Sequence, residues 1–562
     1  MHMWREFEPS AGGRVAAFAA KAVRRRLLPL IVLLPALLSS GCGREGGTAS
    51  AQTKPEPAGF AAADIHTPDF RAVVAEFCGQ CHAPPDPALM PRIRWEAEVD
   101  RGFGFFHDKY RSRSDRPPAP DQALVTAFFE AHAPDGLEFD VPAWTADLDD
   151  AFRPVETASA DATDGAKGAV SISHLRWWEP ADGPPRLLAC DMRNGEILAF
   201  EWADDGFDKR VLAKVDFPAH VEPTDLDGDG RPDFVVASLG SFWPEDHDRG
   251  RVVWLRPDDE TGESTAVTLF DGVGRIADVR PADFDGDGRI DLVVAEFGYL
   301  ETGSLRLLMQ TGLDERGVPK FRELVLDARH GWSHVPIGDL DGDGRPDFVG
   351  LVSQEFESVV AFLNRGGGTF EERVLFEAGD PSFGFSGIEL ADLDGDGDLD
   401  VLATNGDHFD GFVLHPAHSV FWLENMNGAS FTRHELGRLP GAYKAVAADF
   451  TGNGLLDVAA VGFIPSGVWN DVSGAVRQTL VWYEQTAPRE FVERVIERDD
   501  RSASLALQAA DIDGDGRVDL VIGAFDADEL DEAEKRVFRF ETRTRRAPPL
   551  RVFRNARAEA GR

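Results

Sequence analysis

Asp225-Leu226-Asp227-Gly228-Asp229-Gly230-Arg231-Pro232-Asp233 is the stretch from which the rest of the chain can be read, because the pattern returns five more times. The later copies run from Asp283 to Asp291, Asp339 to Asp347, Asp392 to Asp400, Asp449 to Asp457 and Asp511 to Asp519. Their first aspartates lie 58, 56, 53, 57 and 62 residues apart, the mark of an array of like supersecondary units. Each full copy places acids at its first, third, fifth and ninth positions and glycine at the fourth and sixth. That alternation turns several oxygens toward one hard cation while glycine makes the tight turn. A helix with a bidentate glutamate would follow in an EF-hand. Here a β-branched apolar run follows instead, such as Phe234-Val-Val-Ala237 or Leu520-Val-Ile-Gly523. These loops therefore open strands.

The expected calcium ligands are Asp225, Asp227, Asp229 and Asp233 in the first copy and Asp283, Asp285, Asp287 and Asp291 in the second. They are Asp339, Asp341, Asp343 and Asp347 in the third, and Asp392, Asp394, Asp396 and Asp400 in the fourth. The fifth offers Asp449, Asn453 and Asp457, with Thr451 at its third position, and with fewer charges should bind most weakly. The sixth offers Asp511, Asp513, Asp515 and Asp519. The expected load is about five to six Ca²⁺, each held with a Kd of roughly 10⁻⁴ to 10⁻³ M.

Around each loop the same four runs recur. A short run leads in (His220 to Asp225) and the apolar run follows. A third run ends in aromatic residues, as in Val420-Phe-Trp-Leu423, and a fourth alternates, as in Phe370-Glu-Glu-Arg-Val-Leu375. Four strands per unit, repeated radially, make a β-propeller blade. One more unit precedes the six, with Glu179-Pro-Ala-Asp-Gly-Pro-Pro185 in place of the acidic loop, so the expectation is seven blades. The last unit stops after its third strand near Leu550 to Arg554, while Phe152-Arg-Pro-Val-Glu-Thr157, within 151–160, reads as the missing outer strand. Pairing the two ends would cover two open edges. The fold class expected is mainly β, a seven-bladed propeller over 151–556, preceded by a small α-helical domain over 64–140.

The chain has 562 residues and a formal charge of −40. That balance excludes electrostatic binding of nucleic acid, which needs a basic excess to neutralise phosphates. Much of the acidity sits in the loops themselves. Of four cysteines, Cys190 lies in an apolar run and reads as a core residue. No disulfide framework is left once the other three are assigned, so burial and metal must supply stability.

At the N-terminus, Arg24-Arg25-Arg26 precedes the apolar run Leu27 to Leu38, then Ser39-Ser40-Gly41-Cys42. A basic segment, a short apolar run and small residues describe an export signal over 1–41, and the run is too short to span a bilayer permanently. The ending resembles a bacterial lipobox, which implies lipidation at Cys42 and a membrane contact through the lipid alone. Residues 42–63 read as a flexible tether.

Phe77-Cys78-Gly-Gln-Cys81-His82 is a C-x-x-C-H motif. Its thiols Cys78 and Cys81 suit thioethers to the vinyl groups of one haem c, and His82 is placed to ligate the iron. A zinc site would want a second ligand pair at similar spacing, and none follows. For the sixth iron position the sequence offers His107, Met90, His132 or an open site. The flanks look like a small cytochrome c, with one helix over Phe70 to Phe77 and a closing one over Pro118 to His132.

Residues 169 to 556 resemble the FG-GAP/VCBS calcium-loop propellers, and their combination with 64–140 resembles exported bacterial cytochrome c–VCBS repeat proteins. Where that family often carries a Met soon after a Trp-x-x-x-Val element, this chain has Trp95, Val99 and then Phe103. The family's biochemical role is poorly defined, and the first reading of the chain is a monomeric, lipid-anchored protein of the periplasm, outer membrane or cell surface. It would pair electron transfer to an envelope redox partner with binding of a glycan or protein on the propeller. A second reading makes the propeller face oxidise a sugar or alcohol and pass electrons to the haem; a third is adhesion. No catalytic constellation is evident from spacing, so no catalytic residue is assigned and an electron-transfer or binding role is favoured over an enzyme. Unusual loops at Ser353 to Glu357, Asn405 to Asp410 and His415 to His418 suggest a ligand site over the channel.

Overall fold

A computed structural model describes residues 60–80, 83–110, 116–138, 150–155, 170–203, 206–257, 264–408, 413–428, 430–464, 478–498, 503–525 and 548–557. Cys42, Cys81, His82, the export segment and the tether up to residue 59 lie outside the described residues.

Seven antiparallel sheets follow one another along the chain. In blade two the strands are Pro218–Thr224, Asp233–Ser238, Gly250–Pro257 and Ser264–Val273, in that order from the channel outward. The second strand of this blade is buried at every residue, whereas the outer strand is partly or fully exposed throughout, as expected when neighbouring sheets cover the inner strands and leave the rim in water. Blade one lacks the acidic loop, and its inner strand is Ile172–Trp178. The inner strand of blade four is broken into Trp332–His334 and Ile337–Gly338, because Pro336 between them has no N–H to offer the ladder.

The apolar core is divided into seven clusters, each shared by two adjacent blades. Leu340, Leu351 and Leu363 of blade four meet Ile388, Val401 and Phe421 of blade five, for example. Such a core exists only between blades, so no blade is stable alone.

A second device ties blades together. The last residue of the third strand in blade five, Asn425, is fully buried. Its Nδ2 donates to Leu340 O of blade four (2.9 Å) and to Leu399 O (3.1 Å), and its Oδ1 accepts from Gly428 N (2.7 Å). Gln310, Asn364, Gln485 and Asn555 make the same inter-blade bond, to Leu226 O, Phe284 O, Leu393 O and Phe450 O at 2.7–2.9 Å. One amide at each of these five joints thus satisfies a carbonyl of the preceding acidic loop.

The ring is joined at its ends. Phe152–Val155 pairs antiparallel with Leu550–Asn555, completing the sheet that contains Asp519–Phe525 and Ala503–Ala510. Phe152 is buried and meets Phe450 and Trp482 of blade six edge-on, at 5.4 and 5.6 Å between ring centres.

Among the described residues, three α-helices precede the propeller: α1 (Pro68–Cys78), α2 (Trp95–Lys109) and α3 (Gln122–His132). Thr67 and Asp121 cap α1 and α3 through their side-chain oxygens, and Pro68 stands at the first helical turn. Phe70, Val74, Trp95, Val99, Phe103, Val125, Phe128 and Phe129 form their common core. Trp95 stacks on Phe129 at 4.1 Å and donates Nε1–H to Pro87 O at 3.1 Å. Phe103 is a buried packing residue, 4.9 Å from the Phe77 ring.

Candidate functional site

The acidic loops join the first and second strands of blades two to seven. Loop glycines take left-handed backbone angles, with φ of 73° at Gly228 and 83° at Gly230. This folds the loop back on its first aspartate: Asp225 Oδ1 accepts from Asp229 N and Oδ2 from Gly230 N, both at 3.0 Å. The ninth-position aspartate is a buried keystone. Asp400 Oδ2 accepts from Leu393 N (2.8 Å) and Oδ1 from Asn425 N (2.7 Å), and the other loops repeat the first of these bonds.

The carboxylates gather as a cation site requires. Oxygens of Asp225, Asp227 and Asp229 lie within 4.8 Å of one another, as do those of Asp283, Asp285 and Asp291, of Asp339, Asp341 and Asp347, and of Asp392, Asp394 and Asp400. Burial, followed by neighbouring acids, pushes Asp291 up to about 6 and Asp400 to about 7. Asp233, Asp457 and Asp519 also rise to about 6, chiefly through burial, and Asp347 rises as well. Asp341 Oδ1 and Asp511 Oδ1 are buried without a hydrogen-bond partner. Crowded carboxylates with unpartnered oxygens fit a hard divalent cation.

The fifth-position acids are less committed to such a cluster. Asp229, Asp287, Asp343 and Asp515 each hold the arginine two places on: Arg231, Arg289, Arg345 and Arg517. Asp396 has Asp398 at that place and lacks such a partner in sequence. Asn453 Oδ1 accepts from Leu455 N (2.8 Å) as its aspartate counterparts do from their own loops, and its amide donates to Gln485 O. Asp513 is held by Arg554 from the third strand.

A second cluster, which spacing alone did not announce, lines the channel. Five residues before the first loop aspartate, the inner strands carry His220, Asp278, His334, Gly387, Lys444 and Ala506 in blades two to seven. Strand register puts His174 at the same level in blade one, since His174 faces Cys190 as His220 faces Ala237. Two residues further on comes a second ring: Arg176, Glu222, Arg280, Pro336, Glu389, Val446 and Gln508. The signal that would have found them is this fixed offset from the loop.

These groups meet. His220 Nε2 lies 2.9 Å from Glu222 Oε1 and 3.3 Å from Asp278 Oδ1. Arg280 donates Nε–H to Asp278 (3.0 Å) and also pairs with Glu222, whose other oxygen faces Arg176 at 3.2 Å. The His174 ring sits 3.7 Å from that of His220. Val335 N donates to Asp278 Oδ2 at 3.0 Å, and Lys444 faces Glu389 at 3.4 Å. Enclosure in the channel holds His174 and His220 well below the usual 6.5 and His334 down to about 4. Burial would raise Asp278, but Arg280 and the histidines outweigh it and hold the carboxyl low.

The channel opens into a cavity of about 2560 Å³ on the face away from the acidic loops, because its rim is made by the connections between second and third strands. Phe242, Trp243, Tyr299 and Phe525 stand on that rim, and Glu96, Arg101, Phe105 and Glu130 of α2 and α3 border the same cavity. Ser353, Gln354 and Asp407 of the unusual loops reach it, whereas Glu357 and Asn405 hydrogen-bond the backbone of their neighbours. Glu357 accepts from Phe385 N (2.8 Å), and Asn405 ties Phe383 O to Ala417 O. Asp410 lies outside the described residues.

Cys78 ends α1, half-buried. Phe77 beside it lies 4.9 and 5.0 Å from Phe103 and Phe106, which brings this thiol near the end of α2 that carries the exposed His107. His132 instead bonds Phe128 O at 2.7 Å, within its own helix.

The profile of the FG-GAP-like repeat family matches residues 194–294 and 339–403. No curated protein matches the chain. The chain therefore carries FG-GAP-like repeats assembled into a seven-bladed β-propeller, an architecture suited to a binding or adhesion module.

Proposed function

We propose that this is an exported, lipid-anchored c-type haem protein whose calcium-loaded propeller binds a glycan or protein partner while the haem exchanges electrons with a redox partner in the envelope. The observation that carries the reading is the shared cavity. Its floor is the polar channel, its rim holds half-buried aromatic side chains, and α2 and α3 of the helical segment that bears the C-x-x-C-H motif border it. Aromatic faces beside hydrogen-bonding groups in a concave site suit a polyhydroxylated ligand. Cys78, at the end of α1, and His107, on α2, fit a haem seated where Phe77, Phe103 and Phe106 meet. A haem bound there supplies a one-electron couple. The protein's part would be to supply the Cys78 thiol and the His107 imidazole, which stand on α1 and α2 beside these rings.

The carboxylate-backed His220 favours a second reading, in which the channel itself oxidises a sugar or alcohol. An imidazole held neutral and oriented by Glu222 and Asp278 has the makings of a general base. Full-length protein matured with c-type haem separates the readings. Haem reduction that depends on an added sugar or alcohol supports the oxidoreductase. Saturable glycan binding without reduction supports the binding role, and absence of covalent haem refutes both.

A further inference from the structure

We propose that the propeller channel binds one transition-metal ion through His174, His220 and Glu222, with Asp278 and His334 beside it. Four consecutive blades place His174, His220, Asp278 and His334 at one level of the channel wall. One donor atom each from His174, His220 and Glu222 lies within 4.8 Å of the others. Two donors on a tetrahedral ion, each about 2.1 Å from it, stand roughly 3.4 Å apart. His220 Nε2 is 2.9 Å from Glu222 Oε1 and 3.3 Å from Asp278 Oδ1, so an ion can enter among these atoms with small adjustment.

The proton balance is simple. His220 now carries its proton on Nε2, facing the two carboxylates. When an ion takes that place the proton moves to Nδ1, so the imidazole stays neutral and nothing else need be ionised. His174 Nδ1 is an acceptor, held only by a long 3.4 Å contact from Val221 N–H. Arg176 and Arg280 neutralise the carboxylates and would work against the ion. The plain alternative is a polar network that merely fills the channel.

Donor type sets the metal class. Imidazole nitrogen with carboxylate selects zinc, cobalt, nickel or copper over calcium, whereas the all-oxygen loops on the opposite face select calcium. The chain would thus sort two kinds of ion by face. This inference does not rest on the haem, since metal content is independent of redox state.

The test is equilibrium dialysis of the full-length protein in millimolar calcium, which fills the oxygen sites, against Zn²⁺, Co²⁺ or Ni²⁺ in turn, with metal counted by mass spectrometry. The expected result is one ion per chain. His220→Gln and His174→Gln should each weaken retention at least about tenfold. His418→Gln should leave it unchanged, because His418 lies in a separate histidine group and its Nδ1 already accepts from Gly441 N. Should His220→Gln fail to fold, the half-buried His174 decides the matter. Retention of none of the three metals, or equal retention by His174→Gln, overturns the proposal and leaves a polar network only.

Discussion

Replacing Asn425 by alanine tests whether the blade joints depend on their amide clasps. The side chain is fully buried and makes three hydrogen bonds, two of which (to Leu340 O and from Gly428 N) are themselves buried. Truncation leaves those two backbone groups without this partner, at about 1–3 kcal/mol each, so the expected loss is about 4 kcal/mol. The third bond, to Leu399 O, is partly solvated and adds little. Urea unfolding in saturating calcium, followed by tryptophan fluorescence, reads the change as a lowered midpoint at unchanged slope. Asn425→Asp should be worse than the alanine variant, since it turns a carboxylate toward two carbonyl oxygens. A loss below about 1 kcal/mol for alanine, or an aspartate variant as stable as wild type, would refute the clasp.

Other expectations follow from the same geometry. Millimolar calcium over a site with Kd near 10⁻⁴ M contributes about 1.4 kcal/mol per loop, so chelation should lower the thermal midpoint by many degrees; an unchanged midpoint would remove calcium from the account. Asp392→Ala should lose one bound calcium, measured by titration calorimetry, and an unaltered count would reassign that loop. Burial pushes Glu493 from 4.5 up to about 7. Its stabilisation is therefore complete below pH 4.5 and is lost as the pH rises through 7, by about 3 kcal/mol at most. Glu493→Gln should flatten stability between pH 5 and 8, and a variant with the wild-type slope would place the titration elsewhere. Deleting residues 151–155 should destabilise the whole propeller, since it uncovers the edge at Leu550–Asn555 and removes Phe152 from blade six; a deletion with wild-type melting would show that the last blade needs no fourth strand. Replacing both Cys78 and Cys81 by alanine should abolish covalent haem staining, and persistent staining at wild-type level would show that the C-x-x-C-H motif is not the attachment site.

The propeller was legible because its loops repeat. An Asp-x-Asp-x-Asp-Gly pattern fixes where each first strand ends and each second begins, and the alternation around it supplies the other two strands. The channel was not, because its residues occupy inner strands whose composition varies from blade to blade: the same position is His220, Asp278, Gly387 or Ala506. No local pattern marks such residues, and only counting back from each loop aligns them. The buried amides escaped for a related reason. Asn425 or Gln485 after an apolar run reads as the start of a turn, and its bond to the preceding blade is a tertiary fact. Helix α2 was hidden by Gly102 and Gly104, which weaken helical propensity, while its Trp95, Val99 and Phe103 anchor it in the helical core. Cys190 was read as a core residue from its apolar neighbours, and it is buried.

The strand Phe152–Val155 also sets a timetable. It pairs with residues near 555, so a chain emerging from the ribosome, or through a translocon, makes one half of this contact almost at the outset and the other almost at the end. Until then the first strand has no mate and the seventh sheet is only the pair Ala503–Ala510 and Asp519–Phe525 with a bare edge, the kind of surface that invites pairing with a neighbouring chain. Any product cut short at its C-terminus keeps that edge for good. The fold thereby marks incomplete copies as sticky and protease-sensitive, and only a chain carried through to its last strand becomes inert.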